Sequence, residues 1–119
     1  MNVLDASALL AYFMGEPGAD VVERHLDNSF VCAANWSEVL SKITSPTERN
    51  LAEAILQAHE VEIEPVLKAD AVVAANLKAQ NPTLSLGDRF CIALGVRLDV
   101  PVVTSDRAWG NSERIIQIR

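Results

Sequence analysis

The sequence predicts an α/β domain built on a mainly parallel sheet. Three observations carry that expectation. Short apolar runs alternate along the chain with segments of helical period, the pattern that yields parallel strands joined by right-handed crossovers. Its 119 residues fit one domain, taken as residues 1–119. Half of them are apolar and only five each are Gly and Pro, enough apolar surface for a sizeable core and the wrong composition for disorder or a collagen-like polymer.

Asn2–Asp5 is an apolar run that ends on a carboxylate. Ser7–Phe13 follows with Leu9, Leu10 and Phe13 at helical spacing, and Gly15-Glu16-Pro17-Gly18 breaks it. Asp20–Leu26 reads as helix, with Val22 and Leu26 four apart, and Phe30–Ala33 as a short buried strand. A helix starting at Asn35 is expected from the stripe Trp36, Val39, Leu40, Ile43. Ser45-Pro46-Thr47-Glu48 supplies an N-cap serine, a first-turn proline and an acid at the third position, opening a helix to about His59. Val61–Val66 alternates apolar and acidic residues, as a strand half open to water does. Leu67–Ala79 is an Ala/Val-rich helix stopped by Asn81-Pro82, and Leu86–Leu98 a nearly all-apolar helix. Pro101–Thr104 is expected to be a buried strand and Arg114–Ile118 the last one.

A net charge of −6 excludes a basic carpet for nucleic-acid phosphates, so any such role must work through a local basic rim or a bound metal. No apolar run approaches the roughly 18–20 residues of a membrane span. Met1-Asn2-Val3-Leu4-Asp5 has neither the basic nor the long apolar part of a signal peptide. Cys32 and Cys91 sit in apolar stretches without CxxC or histidine company, and read as buried thiols of a reducing cytoplasm.

Four acids fall at corresponding places in this scheme. Asp5 closes the first strand, and Glu38 lies in the first turn of the helix after the second. Asp88 lies in the first turn of the helix leading into the fourth strand, and Asp106 just past that strand's end. In a parallel α/β layer, helix N-termini gather where strands have their C-termini, the edge at which open α/β sheets bind ligands. All four acids therefore come out on one edge.

Each acid also has a purely local role open to it. Asp5 is a candidate N-cap, with Ser7 as a rival. Asn35…Glu38 and Ser85…Asp88 both read as capping boxes, and Glu38 precedes Lys42 by four residues, the spacing of a surface ion pair. Asp106 suits an ordinary turn or a pair with Arg107. Asp88 is harder to assign locally, because Cys91, Ile92 and Gly95 share its face and a carboxylate there needs a partner, a metal or water. Arg89 and Arg97 are expected on the wetter side of that helix. Four clustered carboxylates repel, and a hard cation such as Mg²⁺ or Mn²⁺, which takes oxygen ligands, relieves them. His25 and His59 read as exposed, and no His/Cys set suits zinc.

These acids in their surroundings resemble the PIN-domain family, specifically its small VapC-type ribonuclease toxins of bacterial toxin–antitoxin pairs. The matching stretches are Val3-Leu4-Asp5-Ala6-Ser7-Ala8-Leu9-Leu10-Ala11, Trp36-Ser37-Glu38-Val39, Leu84-Ser85-Leu86-Gly87-Asp88-Arg89 and Val102-Val103-Thr104-Ser105-Asp106-Arg107-Ala108-Trp109. The resemblance implies a three-layer fold of about five mainly parallel strands flanked by helices, and a Mg²⁺- or Mn²⁺-dependent endoribonuclease. It further implies a homodimer held inactive by a cognate antitoxin whose C-terminal segment fills the site. By motif position, Asp5, Glu38, Asp88 and Asp106 carry the metal, with Ser7 and Thr104 supporting them. Metal-assisted hydrolysis of RNA phosphodiester bonds follows, with Asp106 or Glu38 steering water and Arg89, Arg107, Lys42 and Arg49 as the basic rim.

Other readings compete. A receiver-type phospho-acceptor domain would want paired acids after the first strand and a late lysine, where this chain has Asp5 alone and Arg107 after Asp106. A dehalogenase-type phosphatase would want D-x-D, but position 7 is Ser. A non-catalytic PIN-like binding module is the remaining alternative. Trp36 and Trp109 are assigned to packing rather than base stacking. Leu9, Leu10, Phe13, Val39, Leu40 and Ile43 exceed what a small core needs and suggest a self-association face.

Overall fold

Strands and helices alternate as the periodicity predicts, over residues 1–119 of a computed structural model. β1 (Val3–Leu4) leads into α1 (Ala6–Met14) and α2 (Ala19–Arg24), and β2 (Phe30–Cys32) into α3 (Ala33–Lys42) and α4 (Pro46–Ala58). β3 (Glu62–Glu64) is followed by α5 (Lys68–Gln80) and α6 (Leu86–Leu98). β4 (Val102–Thr104) then passes through a 3-10 turn at Arg107–Trp109 to β5 (Ile115–Gln117).

The sheet is wholly parallel, in the order β3-β2-β1-β4-β5. The chain steps outward from β1 to β3 and then crosses back to lay β4 on the other side of β1. Strand order thus reverses between β1 and β4, and the crevice above their C-terminal ends is where such sheets bind ligands.

The two-residue alternation of strands sorts the core into two layers. Leu4, Val31 and Val103 face one side, where Leu9, Val22, Val39 and Leu56 complete a cluster. Val3, Cys32 and Val102 face the other and meet Leu84, Cys91, Leu94 and Trp109. Full burial of a Val or Leu side chain contributes about 1.5–3 kcal/mol, so strands this short are held by their faces rather than by their ladders. β3 carries exposed Glu62 on the sheet edge, where charge blocks pairing with other chains.

Caps form largely as expected. The Ser45 side chain accepts from Glu48 N–H with Pro46 in the first turn of α4. Ser85 and Asp88 make a reciprocal box, at 3.1 and 3.0 Å. Asp5, not Ser7, caps α1, and Gly15 in the left-handed region (φ 65°) ends it. Both cysteines are buried free thiols, Trp109 is buried, and no helix is long and apolar enough to cross a membrane.

Three expectations need correction. α3 starts at Ala33, directly after β2, because Ala33-Ala34 continue into helix without a capping side chain. Asn35 is therefore inside the helix and Glu38 in its second turn, with no box between them and no ion pair from Glu38 to Lys42. Arg89 and Arg97 are not on a wet face, because α5 packs over it. Arg89 is buried and donates to the Ala74 carbonyl at 3.0 Å, while Arg97 pairs with buried Asp70 at 3.0 Å. The histidines are half-buried rather than exposed: His59 meets Asp27 at 2.6 Å and His25 contacts Asn2. Of the apolar stripe, Leu9, Val39 and Ile43 are core residues, while Leu10, Phe13 and Leu40 are half-buried, and Phe13 and Ile43 line an apolar groove with Tyr12, Met14, Leu51 and Ile55.

Candidate functional site

The site grows from Asp5, the first residue beyond β1. The residue is 4% exposed, and its carboxylate accepts from three donors: Ala8 N–H at 2.7 Å, Ser7 Oγ forked at 2.7 and 2.9 Å, and Thr104 Oγ1 at 2.6 Å. Burial disfavours the charged form and lifts its pKa from 3.8 to about 6, against the lowering pull of Thr104, Ala8 and Ser7, with the charge of Asp88 adding to the rise. No lysine, arginine or histidine pairs with it.

Thr104, the last residue of β4, is fully buried. Its hydroxyl donates to Asp5 and accepts from Asp106 N–H at 3.0 Å. Ser7 repeats the arrangement, donating to Asp5 and accepting from Ser105 N–H at 3.0 Å. Two hydroxyls thus join the end of β1 to the loop after β4.

Asp106 sits in that loop with its side chain exposed and capping the 3-10 turn through Ala108 N–H at 2.9 Å. Asp88, half-buried at the start of α6, spends one oxygen on Ser85 N–H. Glu38 reaches across from α3, where Asn35 Nδ2 donates to its Oε1 at 3.3 Å and to the Gly87 carbonyl at 3.2 Å. The fully buried Cys91 thiol is pushed well above its usual pKa, chiefly by burial and further by the charges of Asp5, Asp88 and Glu38. The Gly87 contact sets Glu38 against the first turn of α6, the turn that carries Asp88.

Sharing an edge is not the same as forming a ligand shell. No three His, Cys, Asp or Glu side chains stand close enough together to hold a metal ion. The physical reason is visible in the caps: like charges repel, and Asp88 and Asp106 each have a backbone N–H to turn to. In type, the donors still fit a hard divalent cation. They are carboxylate and hydroxyl oxygens, with the buried Asn35 Oδ1 as an unpartnered acceptor.

Lys42 and Arg107 are exposed, as a basic rim requires. Arg89 cannot join them from inside the α5–α6 layer, and Arg49 donates to the Leu40 and Ile43 carbonyls at the end of α3. Sequence reasoning missed Asn35, Gly87 and Gln117. Gln117 Nε2 braces the Asp106 loop through the carbonyls of Asp106 and Gly110, both at 2.9 Å. A signal existed for Asn35, which precedes Val39 and Ile43 by four and eight residues and so interrupts an apolar face with an amide. Gln117 had none.

Comparison with known proteins agrees with this fold. The PIN-domain family model matches residues 3–113. A toxin–antitoxin complex from Klebsiella pneumoniae is similar in fold, with a TM-score of 0.86 at 15% identity over 100% of this chain and 98% of that one. FitAcB from Neisseria gonorrhoeae gives 0.70, also at 15% identity, over 99% and 98% of the two chains. No match is found among curated proteins.

Proposed function

We propose, from the premise that the chain belongs to the PIN-domain family, that it is a metal-dependent endoribonuclease and the toxin of a toxin–antitoxin pair. One observation carries the reading: Asp5 is a buried carboxylate at the strand-order reversal, held by neutral donors alone. Such a group is costly to ionise by itself and is relieved by a cation.

Asp5, Glu38, Asp88 and Asp106 would hold Mg²⁺ or Mn²⁺. When bound, the cation lowers the pKa of a coordinated water and offsets charge on the scissile phosphate. Ser7 and Thr104 fix the rotation of the Asp5 carboxylate and tie the Asp106 loop to it. Glu38 or Asp106 orients the attacking water, and Lys42 with Arg107 meets RNA phosphates on a chain otherwise of net charge −6. The similarity to toxin–antitoxin structures supports an antitoxin as the protein partner. A homodimer acting in the cytoplasm completes the reading.

The test is cleavage of structured RNA by the purified, antitoxin-free protein with Mg²⁺, with Mn²⁺ and with chelator. Cleavage is expected with either cation, and is lost with chelator and in folded Asp5→Asn or Asp88→Asn. Undiminished cleavage by those variants would remove the assignment. The wide spacing of the acids favours one second reading, a non-catalytic binding module. That reading expects RNA or antitoxin binding without cleavage in either metal.

A further inference from the structure

The geometry points to Asn35 and Gly87 as the residues that position Glu38, holding its carboxylate over the first turn of α6, the turn that also carries Asp88. The inference rests on the reading of Glu38 as a metal ligand, and deepens it by naming what aims that ligand.

Asn35 is 2% exposed, an amide on a face that continues as Val39 and Ile43. Both Nδ2 protons are used, one on Glu38 Oε1 and one on the Gly87 carbonyl, so a single amide ties α3 to α6. Turned over, it would set Oδ1 against two acceptor oxygens, which fixes its orientation. The Oδ1 on the other side of the amide is buried with no protein partner.

Gly87 gives the second, independent observation. It lies inside α6 with an ordinary negative φ, so the backbone does not demand glycine there. Even in the first turn glycine is a poorer helix former than alanine, whose full advantage in a helix interior is about 1 kcal/mol. A Cβ at this position would collide with Glu38 Oε1 and stand 3.1 Å from Glu38 Cδ and 3.5 Å from Asn35 Nδ2. The atom in the way is the end of a flexible side chain. A methyl group would therefore leave the helix in place and drive the carboxylate off. The missing side chain is the space that Glu38 occupies.

The experiment is a pair of double-mutant cycles, Gly87→Ala with Glu38→Ala and Asn35→Ala with Glu38→Ala. It reads thermal midpoint, Mn²⁺ affinity by calorimetry, and kcat and KM on RNA. Gly87→Ala is expected to keep or raise the midpoint while weakening Mn²⁺ about 10- to 100-fold, the usual effect of disturbing a residue that orients a ligand. Neither Gly87→Ala nor Asn35→Ala should weaken Mn²⁺ further once Glu38 is Ala. Wild-type Mn²⁺ affinity in Gly87→Ala, or losses that add fully to that of Glu38→Ala, would overturn the inference. A metal-free arm follows the Asn35 side-chain amide protons by NMR, which should shift in both Glu38→Ala and Gly87→Ala and would refute the positioning contact by staying fixed in both. If the wild type neither binds Mn²⁺ nor cuts RNA, the functional reading falls and the NMR arm still decides the contact.

Discussion

The Thr104 hydroxyl donates to Asp5 Oδ2 at 2.6 Å across 99 positions of sequence, and it is buried. Thr104 Oγ1 in turn accepts from Asp106 N–H. One hydroxyl therefore couples the central carboxylate to the loop that carries another candidate ligand. Thr104→Val keeps the shape and removes both bonds. Leaving buried polar groups unpaired costs about 1–3 kcal/mol, readable as a lower urea midpoint. Because this bond lowers the Asp5 pKa, its loss should also move the Asp5 titration above about 6 in a carboxyl ¹³C NMR series. RNA cleavage should fall further than the lost stability accounts for.

Asp5 makes the metal-free protein sensitive to pH. Its pKa is 3.8 ordinarily and about 6 in the fold. Between those values the unfolded chain releases a proton that the folded chain keeps. The contribution is fully present below 3.8 and is lost as pH rises through about 6, a change on the order of 3 kcal/mol. Urea midpoints in chelator should show wild type losing this increment relative to Asp5→Asn over that window. At neutral pH, Mn²⁺ should raise the wild-type midpoint and leave Asp5→Asn unmoved.

The basic rim can be tested residue by residue. Arg107→Ala should raise KM for RNA several-fold and flatten its salt dependence, because an exposed phosphate contact is lost. Arg89→Met should change neither, its guanidinium being enclosed with Nε unpartnered. Its midpoint should hold or rise, since replacing a buried charge with an apolar chain of similar volume is often neutral or better. Equal KM increases in both variants would contradict the burial of Arg89.

Arg97 and Asp70 form a structural pair remote from the acids' chemistry. Arg97→Met strands a 4%-exposed carboxylate side chain, which should cost about 3 kcal/mol in urea unfolding. Below the transition, kcat and KM should stay at wild-type values. A fall in kcat with intact folding would show that α5 influences the site.

The sequence by itself determined the order of strands and helices, the two thiols inside the core and the single edge on which four acids emerge. Each depends on short-range periodicity or on which end of an element a residue occupies, and both are written locally. Only the tertiary structure decided what α5 covers, so Arg89 passed from a wet face to the interior and Arg97 to a half-buried pair with Asp70, and where α3 begins, so Glu38 moved one turn along its helix. It likewise decided that the acids stand apart, each drawn to a nearby N–H, and that Asn35 and Gly87 meet around Glu38. Arg89 meets Ala74, Arg97 meets Asp70 and Asn35 meets Gly87 across 15, 27 and 52 positions, and no local pattern encodes which surfaces lie against one another at such separations.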